Sequence, residues 1–112
     1  MIICLCGSTR FKEHFAEANK QETLKGHIVL SVGFFGHHEP SFDHDSDVKQ
    51  RLDWLHLEKI KMSDEVLFLN VGGYLGKSSL NELRFAFGLG KKIRFFEPNN
   101  LSDDVMKILG TV

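Results

Sequence analysis

Cysteine, tryptophan and tyrosine are scarce in this chain, with two Cys, one Trp and one Tyr in 112 residues. Cys4 and Cys6 alternate on one short apolar run, so both point to the same face of a strand. A disulfide within a single strand is geometrically poor. The pair therefore reads as two small buried thiols in a reducing compartment, and a cytoplasmic setting is expected. A Cys-x-Cys metal site needs further soft ligands, and none is evident, so neither metal nor cofactor is expected. Excess charge is also missing: the net charge is −1, which argues against non-specific nucleic-acid binding. No apolar run approaches the ~20 residues of a membrane span. The N-terminus lacks a basic region and cleavage site, so no signal peptide is expected. Repeats, linkers and low-complexity segments are absent.

What remains is an ordinary globular composition, 42% hydrophobic and 26% charged, which affords the core of one domain over residues 1–112. A domain this small buries a modest share of its surface, so association would help it.

The stretch "VGGYLGKSS", Val71 to Ser79, follows an apolar run and leads into a helix-like segment. That layout resembles a phosphate-binding P-loop, but the spacing excludes one. Four residues must separate the first glycine from the Gly-Lys pair. Counting back from Gly76-Lys77, that place holds Val71, and Gly72 is one residue too close. A weaker inference survives. A glycine turn that opens a helix exposes N–H groups and a positive dipole end, which suits an anion.

Along the chain, strands alternate with helices. Strands are expected at Ile2–Cys6, His27–Val32, Asp64–Val71 and Lys92–Phe96. Helices are expected at about 11–25, 46–62, 79–89 and 103–109, with inward stripes Phe11-Phe15-Ala18, Val48-Leu52-Leu55 and Leu80-Leu83-Phe87. The stretch Gly33 to Asp47 has no period and reads as a long loop. This pattern implies a mainly parallel sheet of four to five strands wrapped by helices, an α/β three-layer sandwich of the Rossmann-like kind. Ligands of such sheets sit beyond the carboxyl ends of the strands.

The turns at that edge carry the polar groups. "GSTR" offers Gly7, Ser8, Thr9 and Arg10, and arginine grips phosphate bidentately. Its bland alternative is a Ser8 or Thr9 helix cap beside a solvated Arg10. Glu82 is the carboxylate to single out, but Ser79-Leu80-Asn81-Glu82 also fits a capping box. The loop residues His37, His38, Glu39, Asp43, His44, Asp45 and Asp47 match no metal motif and read as a polar lid. His56 shares a helix face with Asp53 and Ile60.

The blocks "ICLCGSTRF" and "SDEVLFLNVGGYLGKSSLNELRFAFGLGKKIRFFEP" resemble the nucleoside 2-deoxyribosyltransferase-like superfamily, over nearly the whole chain. That superfamily includes the 2'-deoxynucleoside 5'-phosphate N-hydrolases, and the likeness is greatest to a compact bacterial and phage branch. The resemblance implies a flavodoxin-like sheet and cleavage of a sugar–base N-glycosidic bond. It places the nucleophile at Glu82, which would form a covalent glycosyl-enzyme. It places substrate contacts at Gly7, Ser8, Thr9, Arg10, Asn70, Gly73, Tyr74, Gly76, Ser78 and Ser79. The implied ligand is a nucleoside or nucleotide. Two departures matter. Counting back eight from Asp64, the family's usual Asp is His56 here, which could instead protonate or hydrogen-bond the leaving base. The acidic residue that transferases carry six before the nucleophile is Gly76, which favours the phosphate-binding hydrolase side. The alternatives are a deoxyribosyltransferase and a non-catalytic nucleotide-binding module. A homodimer packing the second and third helices is expected, because Trp54, Leu57 and Phe85 fall off the inward stripes.

Overall fold

Four short segments pair into one sheet in the computed structural model, which describes residues 1–110. Strand β1 (Ile2–Cys6) is central, flanked by β2 (Ile28–Leu30) and β3 (Glu65–Phe68), with β4 (Lys92–Phe95) beyond β3. All neighbours are parallel, in the order β2-β1-β3-β4. The helices are α1 (Lys12–Leu24), α2 (Asp47–Met62), α3 (Lys77–Gly88) and α4 (Asp103–Leu109). The expected three-layer α/β architecture is the one observed, with four strands. No described helix is long and apolar enough to cross a membrane.

The period of two along β1 divides the core. Ile3 and Leu5 face α1, where Phe15, Leu67 and Leu69 join them. Cys4 and Cys6 face the opposite layer, packed with Ile60 of α2, Leu83 and Ala86 of α3 and Val105 of α4. Both faces of β1 and β3 are covered, which is why these strands read as unbroken apolar runs. The chain passes from β1 to β2 on one side, then crosses back to β3 on the other. Strand order therefore reverses at β1, and a crevice opens at the carboxyl ends of β1 and β3.

Three local expectations need correcting. In α2 the inward stripe is Leu52-His56-Ile60; Val48 and Leu55 are exposed, because the i, i+4 row through His56 faces β1. In α3 the buried row is Ser79-Leu83-Ala86, and Phe87 is exposed. That helix also begins before Ser79. The Leu80 N–H donates to the Gly76 carbonyl at 2.9 Å, which makes Gly76 the N-cap and turns Ser79 inward. The capping box is therefore absent, and Glu82 lies in the second turn, free of any capping task. Of the apolar residues expected off-stripe, Leu57 and Phe85 pack on the core and Trp54 stays exposed.

Charge is buried at one place in the sheet. Arg94 of β4 binds Glu65 of β3 and reaches Glu22 of α1 at 2.5 Å, while Lys25 holds Glu22 from 3.0 Å. Glu22 and Glu65 are almost fully buried, so each needs these partners.

Candidate active site

The turn after β1 begins at Gly7, whose φ of 154° and close approach leave no room for a side chain: a Cβ would meet Leu69 at 3.2 Å. The turn can thus pass tightly against β3 and lead Ser8 and Thr9 toward α1. The long loop folds back on it. His37 Nδ1 and Thr9 Oγ1 share a hydrogen bond of 2.5 Å, and His38 Nε2 lies 3.2 Å from the Arg10 carbonyl, which it faces as a donor. Inside the loop, Phe42 packs on Phe34 with ring centres 4.9 Å apart and covers Gly36. The loop is therefore a wall built of aromatic rings.

This wall, the first turn and the inner faces of α2 and α3 enclose a cavity of about 350 Å³. Phe34, Phe42, Leu52 and Leu55 form its apolar side. Thr9, Lys49, Ser78 and Ser79 form a polar side at the head of α3. Asp53, His56 and Glu82 line it as well. The volume lies at the low end of the range for small-ligand sites, enough for one nucleoside-sized molecule.

Of the site residues expected from sequence, Gly7, Thr9, His56, Ser78, Ser79 and Glu82 meet in this cavity. The others lie elsewhere. Ser8 accepts from the Arg10 Nε at 3.1 Å, and Arg10 lies over the Tyr74 ring at 4.7 Å, outside the cavity lining. Asn70 is fully enclosed: its amide donates to the Glu97 and Asn100 carbonyls, and its oxygen accepts from the Glu97 N–H at 2.8 Å. It pins the segment after β4 to the segment after β3. Gly73 backs onto Asn100, and Gly76 is the cap of α3 under the Tyr74 hydroxyl. Sequence reasoning passed over Lys49, Asp53 and the two loop aromatics as site residues. The only available signal was Lys49 and Asp53 at i, i+4, one turn ahead of His56.

Electrostatics at the inner end are unusual. Burial pushes the Glu82 carboxyl up to about 7; the Cys4 and Asp53 charges add to this, and His56 and Lys49 oppose it. His56 is 5% exposed. Burial alone would lower its pKa, but its bond to Cys4 and the Glu82 charge outweigh that and raise it. Its Nε2 donates to the Leu5 carbonyl at 3.0 Å and lies 3.3 Å from Cys6 Sγ and 3.7 Å from Cys4 Sγ. A carbonyl only accepts, so the proton is on Nε2. Nδ1 is buried and has no partner among the described residues. Leaving such an atom unpaired costs about 1–3 kcal/mol. The third soft donor that the sequence did not reveal beside Cys4 and Cys6 is thus His56, brought there by α2.

No protein-family model matches this chain, and no curated protein sequence matches it either. The fold decides more. The structure superposes on that of a 2-deoxyribosyltransferase from Bacillus psychrosaccharolyticus with a TM-score of 0.69, covering all of this chain and 82% of that one at 19% identity. The two chains share one fold. That enzyme is described as a biocatalyst for the synthesis of nucleosides. The likeness extends from β1 to α4, so the resemblance noted in the sequence blocks extends to the three-dimensional course of the chain. In this shared fold the crevice at the strand-order reversal is the cavity just described.

Proposed function

We propose that the protein is an N-glycosidase that cleaves the sugar–base bond of a nucleoside 5'-monophosphate, with Glu82 as nucleophile. One observation carries this reading. Glu82 presents a carboxyl to the cavity from the second turn of α3, where it neither caps the helix nor forms an ion pair with a described residue. The fold of a nucleoside-processing enzyme supports it.

The cavity divides the substrate by chemistry. Phe34, Phe42 and Leu52 take the base by stacking and apolar contact. Thr9, Lys49, Ser78 and the head of α3 take the phosphate. The Glu82 carboxylate attacks C1' as the C1'–N bond breaks. The bonding pair leaves with the base, which takes up a proton; the candidate donor is His56 in its imidazolium form, which carries a second proton on Nδ1. Water then attacks C1' of the glycosyl ester and passes a proton to the now neutral His56, and Glu82 leaves as the carboxylate. Asp53, one turn from His56, supplies a second carboxylate where the family's usual one is replaced.

A transferase differs only in the acceptor, and the structural neighbour favours keeping that reading open. The test is a panel of nucleoside monophosphates and free nucleosides, with released base followed by chromatography. Base released from a monophosphate in water supports the hydrolase. Release only when a second base is added makes it a transferase. Binding by calorimetry without release makes it a binding module.

A dimer through α2 belongs to the same proposal. Trp54, Leu55 and Val48 are exposed on that helix, and Leu55 also borders the cavity, so a second copy there would cover its mouth. Cys4 and Cys6 are both free thiols, which fits a reducing cytoplasm.

A further inference from the structure

The geometry points to a metal site that the glycosidase reading does not use. We infer that Cys4, Cys6 and His56 bind one thiophilic divalent cation of the zinc class beneath the cavity, beside Glu82. This goes beyond the proposed activity and does not depend on it.

The donor atoms are already placed. Cys4 Sγ, Cys6 Sγ and the His56 ring nitrogen all lie within 4.8 Å of one another. A tetrahedral zinc with ordinary Zn–S and Zn–N bonds holds sulfur and nitrogen about 3.6 Å apart. The two observed separations are 3.3 and 3.7 Å, either side of that value. The donors need little movement to admit an ion once Nε2 gives up its proton and its bond to the Leu5 carbonyl. The two sulfurs come from alternate residues of a central strand and the nitrogen from a helix packed on it, so rigid elements hold all three. Two thiolates and one imidazole are a soft set that selects zinc over magnesium or calcium.

Binding would also change the tautomer of the histidine. A neutral imidazole that gives Nε2 to a metal must carry its proton on Nδ1. In this protein Nδ1 is the buried nitrogen left without a partner among the described residues. Metal binding would release Nε2 from the Leu5 carbonyl and convert Nδ1 from an idle acceptor to a donor.

The test uses the reduced, chelator-treated full chain, titrated with Co²⁺ and followed by absorbance. The expected result is one equivalent bound, with a thiolate-to-cobalt charge-transfer band and intense tetrahedral ligand-field bands, both abolished by Zn²⁺. Cys4 and Cys6 are the chain's two cysteines, so that band can arise from no other residue. Zn²⁺ should also raise the melting temperature of the same protein. Cys6→Ser and His56→Gln should each weaken Co²⁺ by about tenfold or more. Should those variants fail to fold, the wild-type spectrum decides alone. Weak octahedral bands without charge transfer would overturn the inference. So would a titration that His44→Ala abolishes, since the ion would then sit on the loop histidines. Metal binding without base release strikes at the glycosidase reading only; base release without metal binding strikes at this one only.

Discussion

Lys49 Nζ donates to Ser78 Oγ at 3.2 Å, tying the first turn of α2 to the first turn of α3 across the polar side of the cavity. The same ammonium holds Asp53 at 2.5 Å. A lysine at a helix head that already gathers hydroxyls and free amides is well placed for a phosphate.

Lys49→Met should therefore weaken a nucleoside monophosphate far more than the free nucleoside. Losing one charged hydrogen-bond partner costs about 1.5–3 kcal/mol, roughly tenfold to a hundredfold in affinity. Arg10→Ala, which removes a side chain stacked on Tyr74, should cost less. Calorimetry with paired ligands checks both. A larger loss from Arg10→Ala would return the phosphate to the "GSTR" turn.

Glu82→Gln should abolish base release while keeping the fold. In chelator-treated wild type, cleavage should rise with pH through about 7, because only the carboxylate attacks. Stability runs the other way. The folded pKa lies above the unfolded value of about 4.3, so ionising Glu82 weakens the fold as pH climbs between the two. The Gln variant should then be at least as stable as wild type near about pH 8. A pH–rate profile that is flat across neutrality would count against Glu82 as nucleophile.

Asn70→Ala tests a structural role. It removes three hydrogen bonds and leaves the part-buried Glu97 N–H without its partner. The expected loss is about 1–3 kcal/mol, or several degrees in Tm for a domain of this size. Substrate affinity should change little at temperatures where the fold is intact. A pure affinity loss at unchanged Tm would place Asn70 on the substrate instead.

Arg94→Met should destabilise markedly, because it leaves the buried Glu22 and Glu65 short of a partner. The loss should fall toward the lower end of roughly 3–5 kcal/mol, since the Arg94 side chain is itself 36% exposed and solvent screens it. Burial pushes Glu22 up, but bonds from Lys25 and Arg94 outweigh this and leave it lowered. Its contribution is present above the unfolded value of about 4.3 and lost as pH falls through the folded one. Acid unfolding curves should show that step shrinking in the variant.

Trp54→Glu should turn a dimer into a monomer at micromolar concentration. Light scattering measures it. A wild-type species of 12.8 kDa would end the dimer idea at once.

The alternation of apolar runs with helical stripes was enough to determine a parallel α/β sheet, because strand and helix periods are local properties of a chain. The same holds for α4, whose Ser102 cap and Gly110 stop bound the helix within one stretch of sequence. The glycine turns and Glu82 were legible as chemistry for a similar reason: each sits beside its own strand or helix end. Tertiary packing decided everything that depended on rotation or on distant partners. The start of α3 moved from Ser79 to Lys77 because Ser79 was needed inside the core, and this freed Glu82 from capping. The turn of α2 about its axis put His56, rather than Leu55, against β1, and set a ring nitrogen 3.3 Å from a thiol fifty residues away in sequence. Lys49 and the loop aromatics joined the site only when the long loop folded onto the first turn. A helix pattern is blind to such facing when polar and apolar residues both lie near the boundary of the stripe, because the burial that selects among nearby rotations comes from the sheet it packs on.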